Sequence, residues 1–199
     1  MFQKNLVLFD YSGYGKSKGE PRTRRILNDG EKVLDWTLTR VKKENLIIWG
    51  ESLGGSIAAY LASKRKCSKL ILFSTFASLN HLAFGDAHNS SFMMKSVQSF
   101  MNIFIHPLPT KNWLKNVDVP TLIVHSEDDE IISVKHARMM YKVDPSRIQL
   151  LEIKGGHGSP QLTKKHLDEI LNFCEVKVPI DHRCCLDIFD NVAKEIWCE

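Results

Sequence analysis

Apolar residues fall in five short runs along the chain, "LVLF" (6–9), "LIIWG" (46–50), "KLILFS" (69–74), "TLIVHS" (121–126) and "IQLLEIKG" (148–155). Four of them are nearly continuous rather than alternating, the pattern of strands covered on both faces. Between the runs the spacing becomes helical: Ile26, Gly30, Val33, Leu34, Leu38 and Val41 share one side of residues 26–41, and 55–63 and 134–143 are made of good helix formers. Strands alternating with helices predict an α/β fold, a mostly parallel sheet flanked by helices. In such sheets ligands and reactive groups collect at the carboxyl ends of the strands, so the residues just after each run are where chemistry is expected. The opening run is interrupted at Lys4 and ended by Asp10, too short for a signal core or a membrane span, and it reads as a buried strand.

Composition changes this picture little. With 199 residues, 43% of them hydrophobic and 25% charged, the chain suits one globular domain without repeats or low-complexity tracts. The net charge of +4 comes from scattered Lys and Arg. The short basic runs at 22–25 and 64–66 read as solvated faces, and no nucleic-acid partner is expected. Five cysteines, Cys67, Cys174, Cys184, Cys185 and Cys198, are odd in number and lack Cys-x-x-Cys spacing, which favours a reducing, cytoplasmic setting. No His and Cys spacing suits a metal, and no lipidation pattern surrounds Cys184 and Cys185.

Two glycine-rich stretches carry candidate chemistry. "FDYSGYGKS" (9–17) ends like a phosphate-binding loop, but that motif needs glycine where Asp10 stands, and Gly19 and Pro21 interrupt the helix it should open into. A glycine-rich turn is the better reading. Gly50-Glu51-Ser52-Leu53-Gly54, in contrast, fits G-x-S-x-G and lies between a predicted strand and a predicted helix. A serine on such a sharp turn projects its hydroxyl, and the flanking glycines keep side chains clear of it. A neutral hydroxyl is a poor nucleophile, so it needs a base, and the base needs an acid to orient it. Both follow in order: an acidic cluster, Glu127 to Glu130, after the fourth run, and His157 among glycines after the fifth. The order serine, acid, histidine is the one that belongs to this kind of sheet.

The segments "LVLFDYSGYGKSKGEP", "LIIWGESLGG", "KLILFSTFASL", "VPTLIVHSEDDEII" and "IKGGHGSP" resemble, in order, those of α/β-hydrolase serine hydrolases. More narrowly, the chain is similar to the α/β-hydrolase-domain group that includes palmitoyl-protein thioesterases and lysophospholipid lipases. The resemblance implies Ser52 as nucleophile, His157 as base and Asp129 as acid, with Asp128 the alternative acid. The acid loop is similar to H-G-x-x-D followed by two aliphatics, matched here by His125, Asp129, Ile131 and Ile132, with Ser126 in the place of glycine. The backbone N–H of Leu53 would be one oxyanion donor. The second would come from a loop preceding residues 6–9, on a strand that lies between the strand at 6–9 and the strand at 46–50. This sequence begins after it, so an α/β-hydrolase fold lacking the N-terminal strands is expected, with Met1 internal to a longer ancestral frame.

The resemblance covers residues 6 to about 174, and the expected division is a hydrolase domain over 1–175 and a C-terminal extension over 176–199. A small cap is expected at about 76–112, where Met93, Val97, Phe100, Met101 and Phe104 keep helical spacing, a stripe read as core before acyl pocket. The expected function is a serine hydrolase cleaving an acyl ester or thioester, without a cofactor. Its substrate is a small or lipid-like acyl compound or an acylated protein, its location cytoplasmic with peripheral membrane contact. The alternative is a catalytically impaired or truncated α/β-hydrolase-fold protein that acts as a binding module.

Overall fold

The computed structural model describes residues 5–84 and 107–175. Helix α1 (Thr23–Leu38) leads to strand β1 (Ile47–Glu51), helix α2 (Leu53–Lys64) and strand β2 (Lys69–Phe73). Short helices α3 (Leu79–Phe84) and α4 (Thr110–Leu114) precede β3 (Thr121–Ser126), α5 (Lys135–Tyr141), β4 (Ile148–Gly156), β5 (Ser159–Gln161) and α6 (Lys164–Phe173). The sheet runs β1-β2-β3-β4-β5 in sequence order. The first four strands are parallel, and β5 folds back antiparallel on β4.

Both faces of β2 and β3 are covered, which is why these strands are nearly continuous apolar runs. Successive strand residues point to opposite sides. Leu70 and Leu72 of β2 join Ile123 and Ile148 in a core closed by Ile26 and Leu34 of α1, Ile57 and Leu61 of α2 and Met140 of α5. Ile71 and Phe73 belong to a second core with Leu122, Val124 and Ile153, closed by Ile170 and Phe173 of α6. Helix α6 starts on a capping box in which Thr163 accepts from the His166 amide and the His166 ring accepts from the Thr163 amide. Helix α1 buries Ile26, Leu27, Gly30, Leu34 and Thr37 at helical spacing, and begins and ends three residues earlier than its periodicity predicts.

The strand expected at residues 6–9 does not form. These residues carry no secondary structure, and Leu6 and Leu8 are 76% and 73% exposed. A strand requires a ladder partner, and among the described residues none lies along the free edge of β1, so the run neither joins the strand at 47–51 nor enters the core. Phe9 instead meets Tyr11 edge-on, with ring centroids 5.2 Å apart. The apolar stripe Met93, Val97, Phe100, Met101 and Phe104, most of the expected cap and the extension 176–199 lie outside the described residues. No helix among the described residues is long and apolar enough to cross a membrane.

Candidate active site

Ser52 sits between β1 and α2 with φ 49° and ψ −117°, a left-handed backbone that a non-glycine residue rarely adopts. Neighbouring elements hold it there. Its N–H donates to the Phe73 carbonyl at 2.9 Å, and its carbonyl accepts the Thr75 hydroxyl at 2.6 Å, so the end of β2 grips the serine backbone from both sides. The turn is tight enough that a Cβ on Gly50 would stand 2.1 Å from the Gly54 carbonyl oxygen. On the helix side the crowded position is Gly55, whose Cβ would meet Thr75 at 2.5 Å, while Gly54 has its nearest neighbour, the Tyr11 hydroxyl, at 3.7 Å. The glycines of the motif thus divide the work differently from the reading in which Gly50 and Gly54 clear the serine: Gly50 and Gly55 are the ones that allow the close approach.

His157 stands in the turn of the β4–β5 hairpin, and its ring bridges the other two residues. Its Nε2 lies 3.1 Å from Ser52 Oγ and its Nδ1 2.8 Å from Asp129 Oδ2. The Nδ1–H donates to the carboxylate, which leaves Nε2 as the lone-pair face toward the hydroxyl. Asp129 comes from the loop after β3, where its Oδ1 accepts the amides of Ile131 at 2.9 Å and Ile132 at 2.7 Å. These amides fold the loop so that Asp129 turns inward. Asp128 points outward and only receives the Gly155 amide at 3.4 Å. Of the two candidate acids, Asp129 is the one brought to His157.

Burial works against charge on both partners, and their pairing overrides it. For His157, burial disfavours the imidazolium, but the hydrogen bond and charge of Asp129, with Glu51 and Glu130, leave its pKa raised. For Asp129, burial pushes the carboxyl upward, yet the His157 bond and the two loop amides hold it below the usual carboxylate range. Glu51 moves the other way: desolvation raises it, with His157 opposing.

The Leu53 N–H has no backbone partner among the described residues. It is the first amide of α2, and the first turn of a helix has no internal acceptors for its N–H groups. Three contributions were not legible in the sequence, where Ser126 stands out only as a departure from glycine and Glu130 only as part of the acidic cluster. Thr75 grips Ser52, Glu130 accepts the His157 amide at 3.0 Å, and the Ser126 hydroxyl donates to the Gly155 carbonyl, joining the ends of β3 and β4. Glu130 and Ser126 lie in segments that the sequence did point to, but nothing in their spacing reveals these bonds. No cluster of His, Cys, Asp and Glu among the described residues is arranged to hold a metal ion.

A family profile described as alpha/beta hydrolase fold matches residues 3–112. The chain is 30% identical over 178 residues to alpha/beta hydrolase domain-containing protein 17C of Xenopus tropicalis, covering 88% of this chain and 54% of the relative. The protein of the same name from Homo sapiens is 29% identical, with 88% and 50% covered. The chain therefore spans about half the length of the curated relatives it matches. Among solved structures, acetyl xylan esterase 1 from Thermoanaerobacterium sp. JW/SL YS485 is 15% identical at a TM-score of 0.59, over 76% of this chain and 52% of that one. An esterase from Pyrococcus furiosus is 17% identical at a TM-score of 0.60, over 74% and 60%. At these identities the two structures speak for the fold.

Proposed function

The chain belongs to the α/β-hydrolase fold family, and on that footing we propose that it is a serine hydrolase acting on an acyl ester or thioester. The carrying observation is the continuous hydrogen-bonded path from Ser52 Oγ through both ring nitrogens of His157 to Asp129. Ser52 Oγ attacks the acyl carbonyl as His157 Nε2 takes its proton. The Asp129 carboxylate holds the imidazole in the tautomer that can accept and stabilises the imidazolium that forms. The tetrahedral oxyanion is received by the Leu53 amide. His157 then returns the proton to the departing alcohol or thiol, which leaves an acyl-Ser52 that water hydrolyses by the same relay. The proposed setting is cytoplasmic with peripheral membrane contact, and the substrate a small or lipid-like acyl compound or an acylated protein.

The test is labelling of the whole chain by a fluorophosphonate probe, together with turnover of p-nitrophenyl esters of graded acyl length. Both are expected in the native protein and lost in Ser52→Ala. Labelling of Ser52→Ala at the native level refutes the assignment. A second reading, a catalytically impaired fold that acts as a binding module, draws on the exposure of Leu6, Val7, Leu8 and Phe9. Turnover that depends on Ser52 excludes it.

A further inference from the structure

We propose that His125 is a positioning residue of this relay, a neutral second imidazole whose Nε2–H supports the Asp129 carboxylate and so sets the basicity of His157. The proposal rests on the reading of Ser52, His157 and Asp129 given above. His125 is the penultimate residue of β3 and fully buried. Its Nε2 lies 2.7 Å from the Ile132 carbonyl oxygen and 3.4 Å from Asp129 Oδ2. A carbonyl only accepts, so Nε2 carries the hydrogen and gives it to that carbonyl, which leaves the positive end of the N–H dipole 3.4 Å from the carboxylate oxygen. Nδ1 is buried and has no hydrogen-bond partner among the described residues. A second proton there would create a buried cation with a donor aimed at nothing, a costly state. Burial, with repulsion from His136 and His157, accordingly holds the His125 pKa down, although the Ile132 carbonyl and Asp129 act in the opposite direction. Across the range in which His157 titrates, His125 presents a fixed N–H dipole rather than a charge.

The consequence is specific to Asp129. Its Oδ2 faces two imidazoles, and its Oδ1 holds the amides of Ile131 and Ile132. The His125 N–H dipole beside Oδ2 offsets charge that would otherwise bind the His157 proton. The other carboxylates that face His157 are Glu51, at the end of β1, and Glu130, the neighbour of Asp129 in the acid loop, and neither has a hydrogen bond or ion pair with His125 among the described residues. Removing the His125 donor while filling its volume therefore strengthens the hold of Asp129 on the imidazolium and moves the His157 pKa upward. A residue that merely packed the loop would do the reverse: its loss would loosen the Asp129 contact and let that pKa fall.

The experiment is an NMR titration of the His157 ring in the full chain, native and His125→Phe. The expected result is a rise of about half a unit or more, with kcat toward p-nitrophenyl butyrate reduced and KM unchanged. No movement, or a fall, overturns the proposal. Should His125→Phe fail to fold, imidazole nitrogen shifts of the native protein decide: the neutral Nε2–H tautomer is expected throughout the titration of His157, and a protonated ring or the Nδ1–H tautomer refutes it. Ser52→Ala is measured in parallel, because turnover that survives it sinks the relay itself, whereas the His157 titration judges His125 without any need for turnover.

Discussion

Replacing Asp129 by Asn tests the relay at its least visible member. The carboxylate uses Oδ1 for two backbone amides, at 2.9 and 2.7 Å, and Oδ2 for His157. An amide side chain has one oxygen, and the two fixed loop N–H groups claim it. Its NH2 then faces His157 Nδ1, which must present a lone pair in return, so the ring proton moves to Nε2. A protonated Nε2 donates to Ser52 Oγ and takes no proton from it. The expected loss in kcat is about 10⁴, the order seen when an amide replaces the acid of another serine triad, or ~5.5 kcal/mol at ~1.4 kcal/mol per decade. Folding loses less, about 1 kcal/mol, as bonds to a charged carboxylate become bonds to a neutral amide. Asp128→Asn is the control. Asp128 is exposed and the hydrogen bond its carboxylate accepts, from the Gly155 amide, is long, so turnover stays within about threefold, as for surface changes generally. Initial rates on a p-nitrophenyl ester, with urea midpoints to separate chemistry from folding, measure both. Asp129→Asn active to within tenfold, or Asp128→Asn the more damaged, refutes the reasoning.

Three further outcomes follow from the same geometry. Because the raised His157 pKa means that the ring must lose its proton before it can act as base, the acid limb of kcat/KM lies above the ordinary histidine value, and activity falls as pH drops through it; a limb below that value contradicts the electrostatics. Asp129 has a depressed folded-state pKa, so its contribution to stability is complete above the unfolded carboxyl value and is lost as pH falls through the folded one; urea midpoints against pH should show that acid slope, and Asp129→Asn should flatten it. Gly50→Ala forces a methyl to within 2.1 Å of a backbone oxygen and is expected to cost about 1–3 kcal/mol or more, with fluorophosphonate labelling slowed in parallel, whereas Gly54→Ala at that open position retains labelling.

The parts of this protein that could be read from residues alone are those with local physics. The serine elbow is legible because strand, glycine, serine and helix are consecutive, while the grip of Phe73 and Thr75 that holds Ser52 in its strained backbone is not. His157 is legible because it follows a clear apolar run. The choice between Asp128 and Asp129 is not, since the decision belongs to the amides of Ile131 and Ile132, which take hold only once the loop is folded. Hydrophobicity in Leu6 to Phe9 states a preference for burial but names no partner, and strand formation depends on a neighbour that periodicity does not report. Helix α6 shows the same limit from the other direction. Its cap uses His166 where Glu or Gln is usual, so the start signal was present in an unfamiliar residue.

The acid loop and the histidine hairpin are riveted to each other: Asp129 to the His157 ring, Glu130 to the His157 amide, Asp128 to the Gly155 amide and Ser126 to the Gly155 carbonyl. Ser52 is anchored elsewhere, on the end of β2. Two rigid jaws thus meet along one seam, spanned by the 3.1 Å contact between hydroxyl and imidazole. That contact is the joint of the three-residue path that crosses between segments held by different strand ends. In the proposed reaction the acyl group enters at that joint, with the proton's destination already assembled on one side of it.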